Sequence, residues 1–294
     1  MFAALIEEKT MRSIFTMAMA GLMLVGLPAA VSAAEPETAA IPFRAPRDAD
    51  IFKEPNAAQI LLGKRLLSDT KHLLPENVGD GLNCTSCHLG EGKVPLASPY
   101  VGVSTNFPAY AARAGKEIDL AQRINGCFLR SENGKAVPPD SPEMKAMLAY
   151  FQWLSAGMGP KTRVEGRGAG KVDTSLVPDP VKGKAIYETR CASCHGDNGE
   201  GVKDVRGEFI FPPLWGDESF NIGAGMARTY TAAAFVKNNM PVAWGTNAPL
   251  GQGGALTDQE AVDVAEYFTH QPRPDFPAKV KDWPNGGKPK DARY

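Results

Sequence analysis

Cys84-Thr85-Ser86-Cys87-His88 and Cys191-Ala192-Ser193-Cys194-His195 are two copies of one pattern, and they decide how the rest of the chain reads. In each, two thiols stand three positions apart and a histidine follows at once. That spacing lets the thiols reach the two vinyl groups on one edge of a porphyrin, with the adjacent imidazole beneath the iron. One such string also suits half of a zinc site. Two with matching flanks predict two covalent haem c groups, with His88 and His195 as proximal ligands.

The flanks repeat at domain scale. A helical stretch from Ala57 to Leu67 precedes the first motif, and one from Val181 to Thr189 precedes the second. Gly63 stands four residues before Leu67, and Gly183 four before Tyr187, so each pair shares a helix face. A glycine there permits the close crossing of first and last helices that small cytochromes require. The last helices are visible too. Ser141-Pro142-Glu143 offers an N-cap with proline at the first helical position, ahead of Tyr150, Phe151 and Trp153. Thr257-Asp258-Gln259-Glu260 is a capping box leading into Val262, Val264, Tyr267 and Phe268. These aromatics read as core packing. Strand signals are few, so the fold class is mainly α, with two class I cytochrome c-like domains in tandem.

The expected boundaries are a leader at 1–33, a first domain at 34–156, a linker at 157–175, a second domain at 176–272 and an extension at 273–294. Gly157 to Lys171, rich in Gly, Lys and Arg, lacks apolar periodicity and reads as linker. In the leader, Arg12 precedes an apolar run from Ile14 to Leu27, and Val31-Ser32-Ala33 fits a signal-peptidase site. Glu7 and Glu8 are out of place in a basic leader, which points to Met11 as the true start. The run is short for a membrane span, so a cleaved signal and a periplasmic protein are expected. The 294 residues carry a net charge of −1, from 32 basic and 33 acidic side chains, and 43% of residues are hydrophobic. These values suit a globular core and argue against nucleic acid as a partner.

Each iron has a sixth position. In the second half, Met240 lies 45 residues after His195, precedes Pro241 and sits in a turn-rich stretch. A thioether on a stiff loop suits a low-spin electron-transfer haem, and Met240 is preferred over Met226, with Lys237 and His270 as outsiders. The first half has no comparable methionine; Met144 and Met147 look like core residues. Cys127 lies 39 residues after His88, where a distal ligand belongs. It reads equally as a thiolate ligand or as a buried inert thiol. Arg113, Arg123 and Arg130 surround it in sequence, and guanidinium forks are suited to small oxyanions. Solvated arginines, or partners for haem propionates, are the plainer reading of the same residues.

The sequence resembles the dihaem thiosulfate dehydrogenases, which form tetrathionate and in some members reduce it. The resemblance rests on both attachment motifs, on Arg123-Ile124-Asn125-Gly126-Cys127-Phe128 with Arg130-Ser131, on Asn239-Met240-Pro241, and on Asp282-Trp283-Pro284-Asn285-Gly286-Gly287. It implies a His88/Cys127 axial pair at an active-site haem, with Arg113, Arg123 and Ser131 beside it. A second haem, held by His195 and Met240, would pass electrons to a small periplasmic cytochrome or similar carrier. Some members place a lysine directly before this methionine and exchange the two ligands; here the position is Asn239, so constant His/Met ligation is expected. Two other readings remain open. One is a dihaem electron carrier without a substrate site, and the other a sulfur-oxidation cytochrome that loads thiosulfate onto a protein cysteine.

Overall fold

Glycine decides where the helices meet. Helix α1 (Ala57–Ser68) packs on α5 (Pro142–Trp153), and a Cβ on Gly63 would lie 1.9 Å from the carbonyl oxygen of Ala146. Helix α6 (Pro180–Arg190) packs on α9 (Asp258–Thr269), and a Cβ on Gly183 would lie 2.0 Å from Asp263 O. No other residue type allows either approach, as the i, i+4 pattern of each first helix indicates.

The computed structural model describes residues 39–242 and 253–294, all within one unit. The leader assigned to residues 1–33, including the start at Met11, lies outside the described residues. Between α1 and α5 come the single turns α2 (Thr70–Leu73) and α3 (Leu89–Gly92), then α4 (Leu120–Arg130). The second half adds α7 (Ala192–His195) and α8 (Thr229–Asn239) between α6 and α9. Two antiparallel ribbons, β1 (Ala109–Ala111) with β2 (Lys116–Ile118) and β3 (Val202–Lys203) with β4 (Phe209–Phe211), are the sheet content among the described residues.

Both last helices start as their sequences indicate. Ser141 Oγ accepts from Met144 N (3.1 Å), and Thr257 and Glu260 cap each other reciprocally, at 3.2 and 2.8 Å. Each such cap stabilises its helix by about 1 kcal/mol. Met144, Met147 and Tyr150 are wholly buried in the first core, with Phe151 and Trp153 nearly so. Tyr187, Val262, Val264 and Phe268 fill the second. Burying each large side chain stabilises the fold by roughly 1.5–3 kcal/mol, so most of the stability lives in these two cores.

The halves are joined along their length. Leu82 of the first packs with Phe220, Ala224 and Ala227 of the second. Asn221 Nδ2 donates to Leu129 O (2.9 Å) and Asn133 Oδ1 (3.0 Å). The glycine-rich linker is irregular but tied down: Leu96 N donates to Gly166 O and Ser98 N to Gly168 O. The C-terminal segment bridges both halves, with Trp283 N donating to Arg113 O and Tyr230 N donating to Asp291, and has one short turn at Pro277–Lys281. No helix among the described residues is long and apolar enough to cross a membrane.

Candidate active site

Asp119 and Gln122 form a capping box that starts α4, a signal present in the sequence but hidden among its arginines. The helix then spaces Arg123, Cys127 and Arg130 at i, i+4 and i+7, which puts all three on one stripe. Arg123 Nη1 lies 2.9 Å from Cys127 Sγ. The His88 imidazole lies beside the same sulfur. Burial alone pushes the Cys127 thiol up, but the Arg123 guanidinium and the His88 ring together outweigh it and draw the pKa down to about 6. Arg123 in turn is held further toward its charged form, chiefly by the thiolate. These two neighbours favour the thiolate form of Cys127 over the neutral thiol.

The attachment cysteines behave in the opposite way. Burial pushes Cys84 well up and Cys87 to about 12, and the Glu132 carboxylate adds to both. Thr70 Oγ1 is 3.4 Å from Cys84 Sγ and accepts from Cys84 N at 3.2 Å. Glu132 and Asp80 are almost fully buried here, and each keeps one carboxylate oxygen without a hydrogen-bond partner. Burial pushes Asp80 up to about 7 and Glu132 well above the usual carboxylate range. Nothing in the local sequence pattern marks these two acids as buried; the fold alone brings them together.

Each proximal candidate is fixed through one ring nitrogen. His88 Nδ1 lies 2.5 Å from Ser98 O, and His195 Nδ1 lies 2.9 Å from Pro212 O. A carbonyl partner requires N–H at that nitrogen, so Nε2 is the one left for a metal. The carbonyls of Pro95 and Pro213, each followed by leucine, do not take this part. The loop after Pro95 turns through left-handed Leu96 to present Ser98, itself left-handed, and the second acceptor, Pro212, sits one residue earlier than Pro213. Around His88 packs Tyr100 (4.6 Å between ring centroids), itself against Phe151. The second half uses a triad of Tyr187, Trp215 and Tyr267 instead.

The remaining predicted residues fall into two places. Ser131 is the C-cap of α4, and its N–H donates to Cys127 O at 2.7 Å. Arg113 sits with Arg130 rather than with Arg123: its Nη1 donates to Gly223 O (2.7 Å), its guanidinium covers Trp283 (4.8 Å), and Asp282 lies 3.8 Å away. Arg130 grips Asp282 with two bonds, of 2.7 and 2.9 Å. Met240 ends α8 and packs, half-buried, in the cluster that also holds Cys191, Tyr187 and Trp215. Met226 packs between that cluster and the junction of the halves. Lys237 pairs with Asp258, and His270 pairs with Glu266, which accounts for both outsiders.

These donor sets suit haem c. In each half a tight turn presents two thiols, with a histidine whose Nδ1 is fixed and whose Nε2 is left for iron. In the first half the Cys127 sulfur lies beside that ring. Such tandem helical domains define a c-type cytochrome, with haem c as the implied cofactor. The SoxA/TsdA cytochrome c domain model matches residues 76–159, and the cytochrome c model matches residues 180–271. A thiosulfate dehydrogenase of Psychrobacter arcticus is 46% identical over 251 residues, covering 85% of this chain and 74% of that one. One of Allochromatium vinosum is 44% identical over 269 residues, covering 90% and 95%. The solved thiosulfate dehydrogenase TsdBA of Marichromatium purpuratum superposes with a TM-score of 0.71 at 36% identity. That match covers 80% of this chain and 50% of the solved one. The chain belongs to the thiosulfate dehydrogenase family of cytochrome c oxidoreductases.

Proposed function

We propose that this chain is a periplasmic dihaem cytochrome that couples two thiosulfate ions to tetrathionate and passes the electrons to a small external carrier. The observation that carries the reading is the Arg123–Cys127–His88 constellation: a thiolate held between a guanidinium and an imidazole. His88 and Cys127 would hold one haem c, and His195 and Met240 the second. When bound, haem c supplies one-electron acceptors on either side of the junction between halves.

The chain's own residues deal with charge and sulfur. Two thiosulfate dianions repel, so a site that brings them together needs fixed positive charge. Arg123 supplies it at the sulfur, and Arg113 and Arg130 extend it along the approach, with Asp282 the carboxylate they share. Cys127 Sγ forms a bond to the sulfane sulfur of one thiosulfate, giving a cysteine S-thiosulfonate as two electrons leave. The sulfane sulfur of a second thiosulfate then attacks that sulfur; the bond to Cys127 breaks, tetrathionate departs and the thiolate is restored. Ser131 lies one helical turn beyond the sulfur, and its hydroxyl would hold a sulfonate oxygen.

The test is Cys127→Gly in protein that keeps both haems, assayed with thiosulfate and an artificial acceptor. Loss of acceptor reduction is expected, and full activity in that variant sinks the reading. Thiosulfate alone suffices for a dehydrogenase, does nothing for a plain carrier, and requires a protein partner for a carrier-loading enzyme.

A further inference from the structure

Asn239 touches both halves at once. It is wholly buried as the last residue of α8, and Met240 follows it directly. Its Nδ2 donates to Phe235 O (2.9 Å), one turn back in the same helix. The same amide donates to Leu96 O (2.8 Å), 143 positions earlier in the chain. A residue that merely finished α8 needs only the first of these bonds. The second reaches into the other half.

Leu96 opens the short loop whose Ser98 carbonyl receives His88 Nδ1. Leu96 and Ser98 both adopt left-handed backbone, at φ +61° and +52°. Residues with side chains hold that conformation only where their surroundings over-determine it. Three hydrogen bonds from outside the loop do so. Two come from the linker, at Gly166 O (2.6 Å) and Gly168 O (3.0 Å), and the third from Asn239.

We propose that Asn239 is a positioning residue shared by the two haem sites. From the second half it holds the loop that fixes the proximal imidazole of the first, and it anchors the backbone that carries Met240. The carbonyl that receives a ligating imidazole sets the ring's orientation and its basicity as a ligand. A firmer bond at Ser98 favours ferric iron above His88, and a looser one favours ferrous iron. The inference rests on His88 and Met240 as iron ligands, part of the proposed function, and not on thiosulfate chemistry.

The experiment is an EPR-monitored redox titration of the full haem-loaded protein, comparing Asn239→Leu and Asn238→Ala with the parent. Asn238 is the control, because it lies two residues before Met240 and donates to Ala169 O of the linker (3.0 Å) and to Ala234 O (2.8 Å), with neither bond going to the loop. Asn239→Leu is expected to shift the reduction equilibrium of the thiolate-ligated haem about three- to tenfold toward the reduced form. Tenfold is about 59 mV for a one-electron couple. Asn238→Ala leaves that haem unchanged. Should Asn239→Leu fail to assemble, Asn239→Ala, which removes the donor without adding a charge, gives the same upward shift. A first-haem potential that stays put, or moves equally in Asn238→Ala, overturns the proposal. A parent lacking thiolate EPR signals, or the red charge-transfer band of methionine-ligated ferric haem, overturns the ligand assignment instead.

Discussion

The two halves are built on one plan and differ in what surrounds the iron positions. Beside His88 lie the Cys127 sulfur and the Arg123 guanidinium, with two carboxyls buried near the attachment turn; in the second half Met240 packs with an aromatic triad and Cys191, next to Arg190. The first half sets charged groups around its cysteine site, whereas the second packs aromatic rings around its attachment turn. Reactive chemistry on dianions needs the first environment, whereas electron passage with little reorganisation suits the second. On the proposed function, the repeat divides labour through the residues around its attachment turns and keeps the turns themselves alike.

The comparison breaks most visibly at Arg123. Arg123→Gln is expected to cut thiosulfate turnover by about 10²-fold, as loss of one fixed charge-stabilising donor commonly does. The red methionine band of the second haem should be untouched. A variant with parental turnover removes the charge argument for the first half.

The helix crossings come next in size. Gly63→Val and Gly183→Val each force a side chain into backbone at about 2 Å, and overpacking costs about 1–3 kcal/mol or more. Thermal melts followed at each haem's own signal should show the loss beginning in the half that carries the change. Identical melts for the two variants would mean that the halves unfold as one.

Asp80 sharpens the contrast through pH. Its pKa in the folded protein is about 7, against 3.8 for an ordinary aspartate, because burial disfavours the carboxylate. Folding therefore takes up a proton in this window: the stabilisation is fully present below pH 3.8 and is lost as pH rises to about 7. Asp80→Asn should flatten this decline in urea melts run across that range. An unchanged slope shows that Asp80 does not titrate there. Smallest of all, Ser141→Ala and Thr257→Ala should each cost about 1 kcal/mol, equally in the two halves, checked by the same melts.

The repeat, the glycine crossings, both late helix caps and the helical class were legible because each rests on neighbours in sequence. Cys127 and Arg123 were legible as a pair for the same reason, being one helical turn apart. Their common stripe with Arg130 was harder to see, since it depends on the Asp119–Gln122 cap. What stayed hidden is long-range. Asp80 and Glu132 are 52 positions apart, and no periodicity announces that both end up buried beside Cys84. Arg113 looked like a neighbour of Cys127, yet the C-terminal segment draws it to Asp282 and Trp283. The acceptor of His88 depended on a left-handed turn that Leu96 and Ser98 do not advertise. Asn239 stood out only as the absence of a lysine, and its reach to Leu96 belongs to the tertiary fold.

The linker has a consequence for anyone who would rebuild this protein. Its carbonyls at Gly166 and Gly168 meet the amides of Leu96 and Ser98 at matching two-residue steps, as teeth meet on a rack. It is thus a gauge of spacing more than a tether. Inserting one residue at 167 would present the wrong carbonyls to the loop beneath His88, while inserting two would bring the steps back into phase. Chimeras that join cytochrome domains through a pliant spacer lack this gauge, and their two haems would lose the common reference that the native chain provides.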